Sequence, residues 1–169
     1  MHGIHGAPHQ PSRSSARFSE SEADVALIQR SVLVEYSAAQ MYDLVHDVER
    51  YPEFLPWCAG AHVENQDEGG VHARVAIDFR GIRQHFTTHN TVQPPSLIEM
   101  KLVSGPFRHL EGNWRFKPLG DQACKVEFRL HYEFSSKLLE RLVGPVFHFI
   151  ANSLVDAFVR RAAQRYGPR

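Results

Sequence analysis

The stretch Ser136–Tyr166 constrains this chain more than any other. Leu138, Leu139, Leu142, Val143, Val146, Phe147, Ile150, Ala151, Leu154, Val155, Phe158 and Val159 recur at the spacing of one side of an α-helix. Full burial of such a side chain is worth about 1.5–3 kcal/mol, so the stripe demands an apolar surface of matching length. Only the strands before it can supply one. Gly144-Pro145 falls in the middle of the stripe. Proline has no N–H to give the carbonyl of Arg141 and crowds it, so a kink of more than ~20° is expected near Leu142–Pro145.

Strand patterns fill most of the preceding chain. Ala26–Glu35 contains an alternating strand with Ile28, Val32 and Val34 among its apolar members. Ser37 and Gln40 form an S-x-x-Q capping box for a short helix, Ala38–His46, and Val48–Phe54 reads as a second turn set by Pro52 and Pro56. From Ala61 onward strand patterns follow one another as a meander, with turns at Gln66–Gly70, Gly81, Pro94-Pro95-Ser96, Gly105-Pro106 and Pro118–Gln122. Cys124–Phe134 alternates throughout: Cys124, Val126, Phe128, Leu130, Tyr132 and Phe134 against Lys125, Glu127, Arg129, His131 and Glu133. A sheet with one buried and one wet face gives that pattern. The order strand, two short helices, about six strands, long helix makes an α+β domain, a curved antiparallel sheet wrapped around the terminal helix. It is expected to span residues 24–169.

Residues 1–23 differ. They are rich in Gly, Pro, Ser and His, hold almost no large apolar residue, and cannot offset their own ordering entropy, so they read as a disordered extension. They also lack the apolar core of a signal peptide. The remaining residues are enough for one domain. With 19 basic and 19 acidic residues there is no global field to recruit nucleic acid, and no DNA partner is expected. Cys58 and Cys124 are too few for a disulfide framework or zinc site, which points to a reduced, cytoplasmic setting. No membrane-spanning run is expected.

Catalytic motifs are missing: there is no phosphate loop, nucleophile elbow, H-E-x-x-H helix or C-x-x-C. His85 and His89 lie on a strand, where four residues rise about 13 Å, too far to share a metal ion. Asp43, Asp47 and Glu49 read as a solvated face. Neither a catalytic residue nor a metal site is assigned. The aromatic residues, scattered over nearly every element, fit either a filled core or a cavity between sheet and helix. Arg115 and Lys117 share a strand face, and Arg161 and Arg165 stack on the last helix; both pairs are candidate RNA contacts, although cations also favour a helix C-terminus.

Four strings carry a resemblance: SAAQMYDLVHDVERYPEFLPWC (Ser37–Cys58), FTTHNTV (Phe86–Val92), LVSGPFRHLEGNWRFKPL (Leu102–Leu119) and EFSSKLLERLVGPVFHFIANSLVDAFVRRAAQRYG (Glu133–Gly167). In register from about Ala26 to Gly167, the chain resembles the coenzyme Q-binding START-like family, which is polyketide cyclase-like and includes ribosome association toxins. Residues 1–23 have no counterpart in the family's usual short start, and Pro145 departs from its pattern. The resemblance implies a helix-grip fold around an apolar tunnel, and two non-catalytic activities. One is binding ubiquinone or another isoprenoid lipid in support of respiration; the other is binding the 50S subunit so that it cannot join the small one. Related folds include aromatase/cyclases, but the charged pocket residues a cyclase-type enzyme needs cannot be placed here. The expected cavity residues are Tyr51, Phe54, Trp57, Phe79, Phe86, Met100, Trp114, Phe128, Phe147 and Ile150. Ubiquinone would be a bound ligand rather than a cofactor. The implied setting is the cytoplasm, with transient contact at the inner-membrane surface, and the arm before Pro145 would gate the cavity.

Overall fold

The alternating segments form strands β1 (Ala26–Val34), β2 (Cys58–Asp67), β3 (Gly70–Phe79), β4 (Ile82–Gln93), β5 (Leu97–Ser104), β6 (Phe107–Pro118) and β7 (Cys124–Phe134) in a computed structural model of the chain. The structure describes Gly3 and residues 25–169, so the expected extension 1–23 lies outside the described residues apart from Gly3. The strands make one seven-stranded antiparallel sheet in the order β1-β7-β6-β5-β4-β3-β2. β2 to β7 are a plain meander, and the first strand returns to pair with the last. Arg80 and Gly81 both adopt positive φ (51° and 80°) between β3 and β4, which suits a two-residue hairpin. Gly70 is needed for another reason: a Cβ there would sit 2.1 Å from the backbone oxygen of Asn90.

Helix α1 (Ala38–His46) starts at the capping box read from the sequence. The Gln40 N–H donates to Ser37 Oγ at 3.1 Å, and the Ser37 N–H donates to Gln40 Oε1 at 2.9 Å. A 3-10 turn, Val48–Glu53, follows and is held back onto α1 by the Tyr51 hydroxyl, which donates to the Val45 carbonyl. Helix α2 (Lys137–Tyr166) is capped by Ser136, whose Oγ accepts from the Leu139 N–H at 3.2 Å. Sheet plus long terminal helix is the helix-grip arrangement expected from the sequence.

Two expectations about α2 need correction. It continues as one helix through Pro145, so the two arms are not separate elements. Nor does the stripe bury along its whole length: Val143, Phe147, Ile150, Ala151, Val155 and Phe158 are core residues, whereas Leu138 is 65% and Leu142 57% exposed. Periodicity identifies a helical side; what stands opposite each turn is set by the sheet. A third correction concerns hydropathy. An 18-residue window of α2 reaches a mean hydropathy of 1.5, enough by length and composition to cross a membrane. Part of that apolar surface is taken up by the sheet.

Candidate functional site

The inner face of the sheet and α2 bound a partly open cavity of about 90 Å³. Strand alternation sends Ala73, Val75 and Ile77 of β3, Phe86, Thr88 and Asn90 of β4, Met100 of β5, Leu110 and Trp114 of β6, and Phe128 and Leu130 of β7 into its wall. Helix α2 closes it with Phe147, Ile150, Ala151, Leu154 and Phe158, and Val48, Tyr51 and Trp57 close the end beside the 3-10 turn. The aromatic side chains interlock. Trp114 stacks on Phe128 with centroids 4.3 Å apart, and Phe147 stands edge-on to Tyr132 at 4.7 Å and to Phe107 at 4.9 Å. The volume is well below the ~300–1,000 Å³ of pockets that swallow drug-sized ligands. It is below even the ~150 Å³ cavity that holds one benzene, so a substituted ring would have to use the cavity's open side and a long hydrocarbon tail would lie outside.

Of the residues expected at the cavity, Tyr51, Trp57, Phe86, Met100, Trp114, Phe128, Phe147 and Ile150 line it; Phe54 and Phe79 do not. Phe54 follows the 3-10 turn and packs edge-on to Tyr51 and Phe158, with the Arg161 guanidinium 4.9 Å above its ring. Phe79 is the last residue of β3 and stacks flat on Phe149 of α2, centroids 5.9 Å apart, under the guanidinium of Arg80. Beside aliphatic wall residues and Phe158, the expectation missed the polar pair Thr88 and Asn90. Their signal was present, because they share the inward face of β4 with Phe86.

No aspartate, glutamate, histidine, lysine or arginine is among the described residues of the wall. Its one titratable side chain, Tyr51, has its pKa pushed up by burial, then by the neighbouring Cys58 and Asp47, and its hydroxyl is committed to Val45. Burial raises Tyr132 to about 12 and Cys124 to about 11. Cys58 and Cys124 are both buried free thiols. Among the described residues no cluster of three or more potential metal ligands occurs; the His89 ring meets that of His72 at 4.9 Å.

The basic candidates fall into two places on opposite sides of the sheet. Arg115 and Lys117 stand on the outer face of β6, next to Lys125 and Arg129 of β7. Glu127 lies among them, 3.3 Å from Lys117 and 3.2 Å from Lys125. Arg161, on α2, is only 17% exposed and pairs with Glu53 at 3.4 Å. Arg165 lies in a pocket with Asp43 and Asp47 as well as Arg50 and Arg161, and Glu53 beside them brings the carboxylates level with the arginines. Only the outer-sheet group therefore offers cations in excess of their local partners.

The profile of the family described as "Polyketide cyclase / dehydrase and lipid transport" matches residues 34–159. A ribosome association toxin, RatA, of Vibrio cholerae is 50% identical over 140 residues, covering 83% of this chain and 97% of the toxin. The mitochondrial coenzyme Q-binding protein COQ10 of Drosophila melanogaster is 31% identical over 140 residues, 80% of this chain and 58% of that protein. Among solved structures, the Zhui aromatase/cyclase of a Streptomyces species superposes with a TM-score of 0.74 at 15% identity, over 84% of this chain and 96% of that one.

Proposed function

For a chain that belongs to the polyketide cyclase / dehydrase and lipid transport family and groups with the RatA toxins, we propose a non-enzymatic role: binding the ring of a polyprenyl quinone, ubiquinone, in the cavity under α2, in support of respiration. The observation that carries this is the wall itself, aliphatic and aromatic and without a charged side chain among its described residues. Such a wall favours a neutral apolar ring and penalises any charged ligand, which would lose its hydration with nothing in return. Cyclase-type acid–base chemistry calls for an ionisable group facing the substrate, and Tyr51, the sole titratable wall residue, has its proton engaged with Val45. The name of the Drosophila relative points to the same ligand.

The tail has to leave the cavity. Leu138, Leu142 and Phe149 expose 65%, 57% and 49% of their surface on the first half of α2. With Phe79 and Arg80 they form an apolar surface capped by a cation, suited to transient contact with the inner-membrane surface by a cytoplasmic protein. Lipid extracted from natively purified protein tests the reading: mass spectrometry is expected to find ubiquinone at a substantial fraction of the protein, and an extract without quinone or isoprenoid overturns it.

A second reading rests on the outer face of β6 and β7. Arg115, Lys117, Lys125 and Arg129 around the single Glu127 make a locally basic surface, and the Vibrio relative is named for ribosome association. Binding to the 50S subunit through this face, blocking its union with the small subunit, would weaken steeply with salt as phosphate contacts are lost. Co-sedimentation of Arg115→Glu/Lys117→Glu with 50S subunits at the wild-type level would remove this face from the reading. The two roles use opposite sides of the sheet and do not compete for residues.

A further inference from the structure

Within the apolar wall, two polar side chains stand together. Thr88 and Asn90 are two apart on the inner face of β4, 5% and 7% exposed, and flanked in register by Ala73 and Leu102 at Thr88 and by Val71 and Met100 at Asn90. The Thr88 hydroxyl donates to Asn90 Oδ1 at 2.7 Å. An asparagine amide also carries two N–H donors. Among the described residues neither finds an acceptor, and since no buried side-chain nitrogen or oxygen is left unpaired among them, the amide nitrogen keeps some accessible surface on a residue that lines the cavity. Packing does not ask for this arrangement: valine and leucine would fill the same space without a polar group that must be kept hydrated or paired.

We propose that Asn90, oriented by Thr88, is the polar anchor of the cavity, and that its amide N–H donates to an acceptor oxygen on the bound ring. The ligand class is then narrower than "apolar": a neutral ring bearing a carbonyl or ether oxygen, held by that oxygen, with the hydrocarbon directed away from β4. Fatty acids fit poorly, because the wall supplies no cation for a carboxylate. Pure hydrocarbons fit sterically but leave the amide unpaired. This inference rests on the cavity being a ligand site, as proposed above.

The test compares two probes on the full chain, a short-tailed benzoquinone and the alkylbenzene with the same tail, against wild type, Asn90→Leu and Thr88→Val. A net hydrogen bond to a ligand oxygen corresponds to roughly a three- to tenfold preference. Wild type is therefore expected to favour the quinone over the alkylbenzene by that factor, Asn90→Leu to abolish the preference while keeping alkylbenzene affinity, and Thr88→Val to reduce it. Infrared spectra of carbonyl-labelled quinone are expected to show a downshifted carbonyl stretch in wild type that is absent in Asn90→Leu. Equal preference in all three proteins, or an unchanged carbonyl band in Asn90→Leu, overturns the anchor while leaving the cavity reading intact. Failure of wild type to bind either probe overturns the cavity reading itself. Should Asn90→Leu not fold, as judged by its thermal transition, the Thr88→Val preference and the carbonyl band in that variant decide the matter.

Discussion

The ring of Phe158 stands edge-on to the indole of Trp114, centroids 5.3 Å apart and planes crossed at 80°. This contact joins helix to sheet at the cavity wall. Phe158 also meets Tyr51 at 5.5 Å and Phe54 at 5.3 Å, so one side chain ties together α2, β6 and the 3-10 turn. It is 1% exposed. Phe158→Ala is expected to cost about 3–5 kcal/mol, read as a lower urea midpoint at unchanged slope. A loss below about 1 kcal/mol would show that the grip lies elsewhere.

Alkaline pH probes the buried thiol. Burial moves Cys124 from 9.0 to about 11 in the folded protein, while the unfolded chain titrates at the ordinary value. Between those values the native state keeps a proton that the unfolded state gives up, so stability is intact below pH 9.0 and falls as pH rises toward about 11. Tyr132, raised from 10.0 to about 12 by burial, extends the decline. Cys124→Ala is expected to flatten the first part of the curve, measured by denaturant melts at stepped pH. A variant curve parallel to wild type would contradict the assignment.

Pro145 is exposed on α2 and gives no N–H to the carbonyl of Arg141, although the helix continues past it as one element. Pro145→Ala restores that bond and is expected to stabilise the protein by about 1–3 kcal/mol. The same change tests the gate expected from the sequence, with the arm Lys137–Gly144 yielding to admit ligand. Stopped-flow quinone uptake is expected to slow. Uptake at the wild-type rate would leave Pro145 without a role in entry.

The architecture was legible because periodicity reports faces directly. The inward residues of β7, the capping box at Ser37 and Gln40, and the hairpin at Gly81 all follow from patterns within a few residues. What needed the structure was long-range. The exposure of Leu138 and Leu142 depends on what faces them. Glu53 neutralises Arg161 from 108 residues away, so that arginine looked freer in the sequence than it is. Phe54 and Phe79 share the chemistry of the wall residues, and only their places at element ends set them outside the cavity. Asn90 was visible on the right face, but its free donors become evident only once Thr88 is seen to occupy its oxygen.

The central claim is that the cavity under α2 takes a quinone ring, and the protein carries its own reporter. Trp57 and Trp114 are its only tryptophans, and both line the wall. In Trp57→Phe, emission comes from Trp114 alone, against the expected ring position, and quinones quench indole on contact. Titration with short-tailed ubiquinone is expected to give saturable quenching at one ligand per protein. Ala151→Leu, which places a larger side chain in the cavity beside Ile150, is expected to weaken that binding more than tenfold at a modest cost of roughly 1–3 kcal/mol in stability. Linear, unsaturable quenching of equal slope with and without Ala151→Leu would contradict the account.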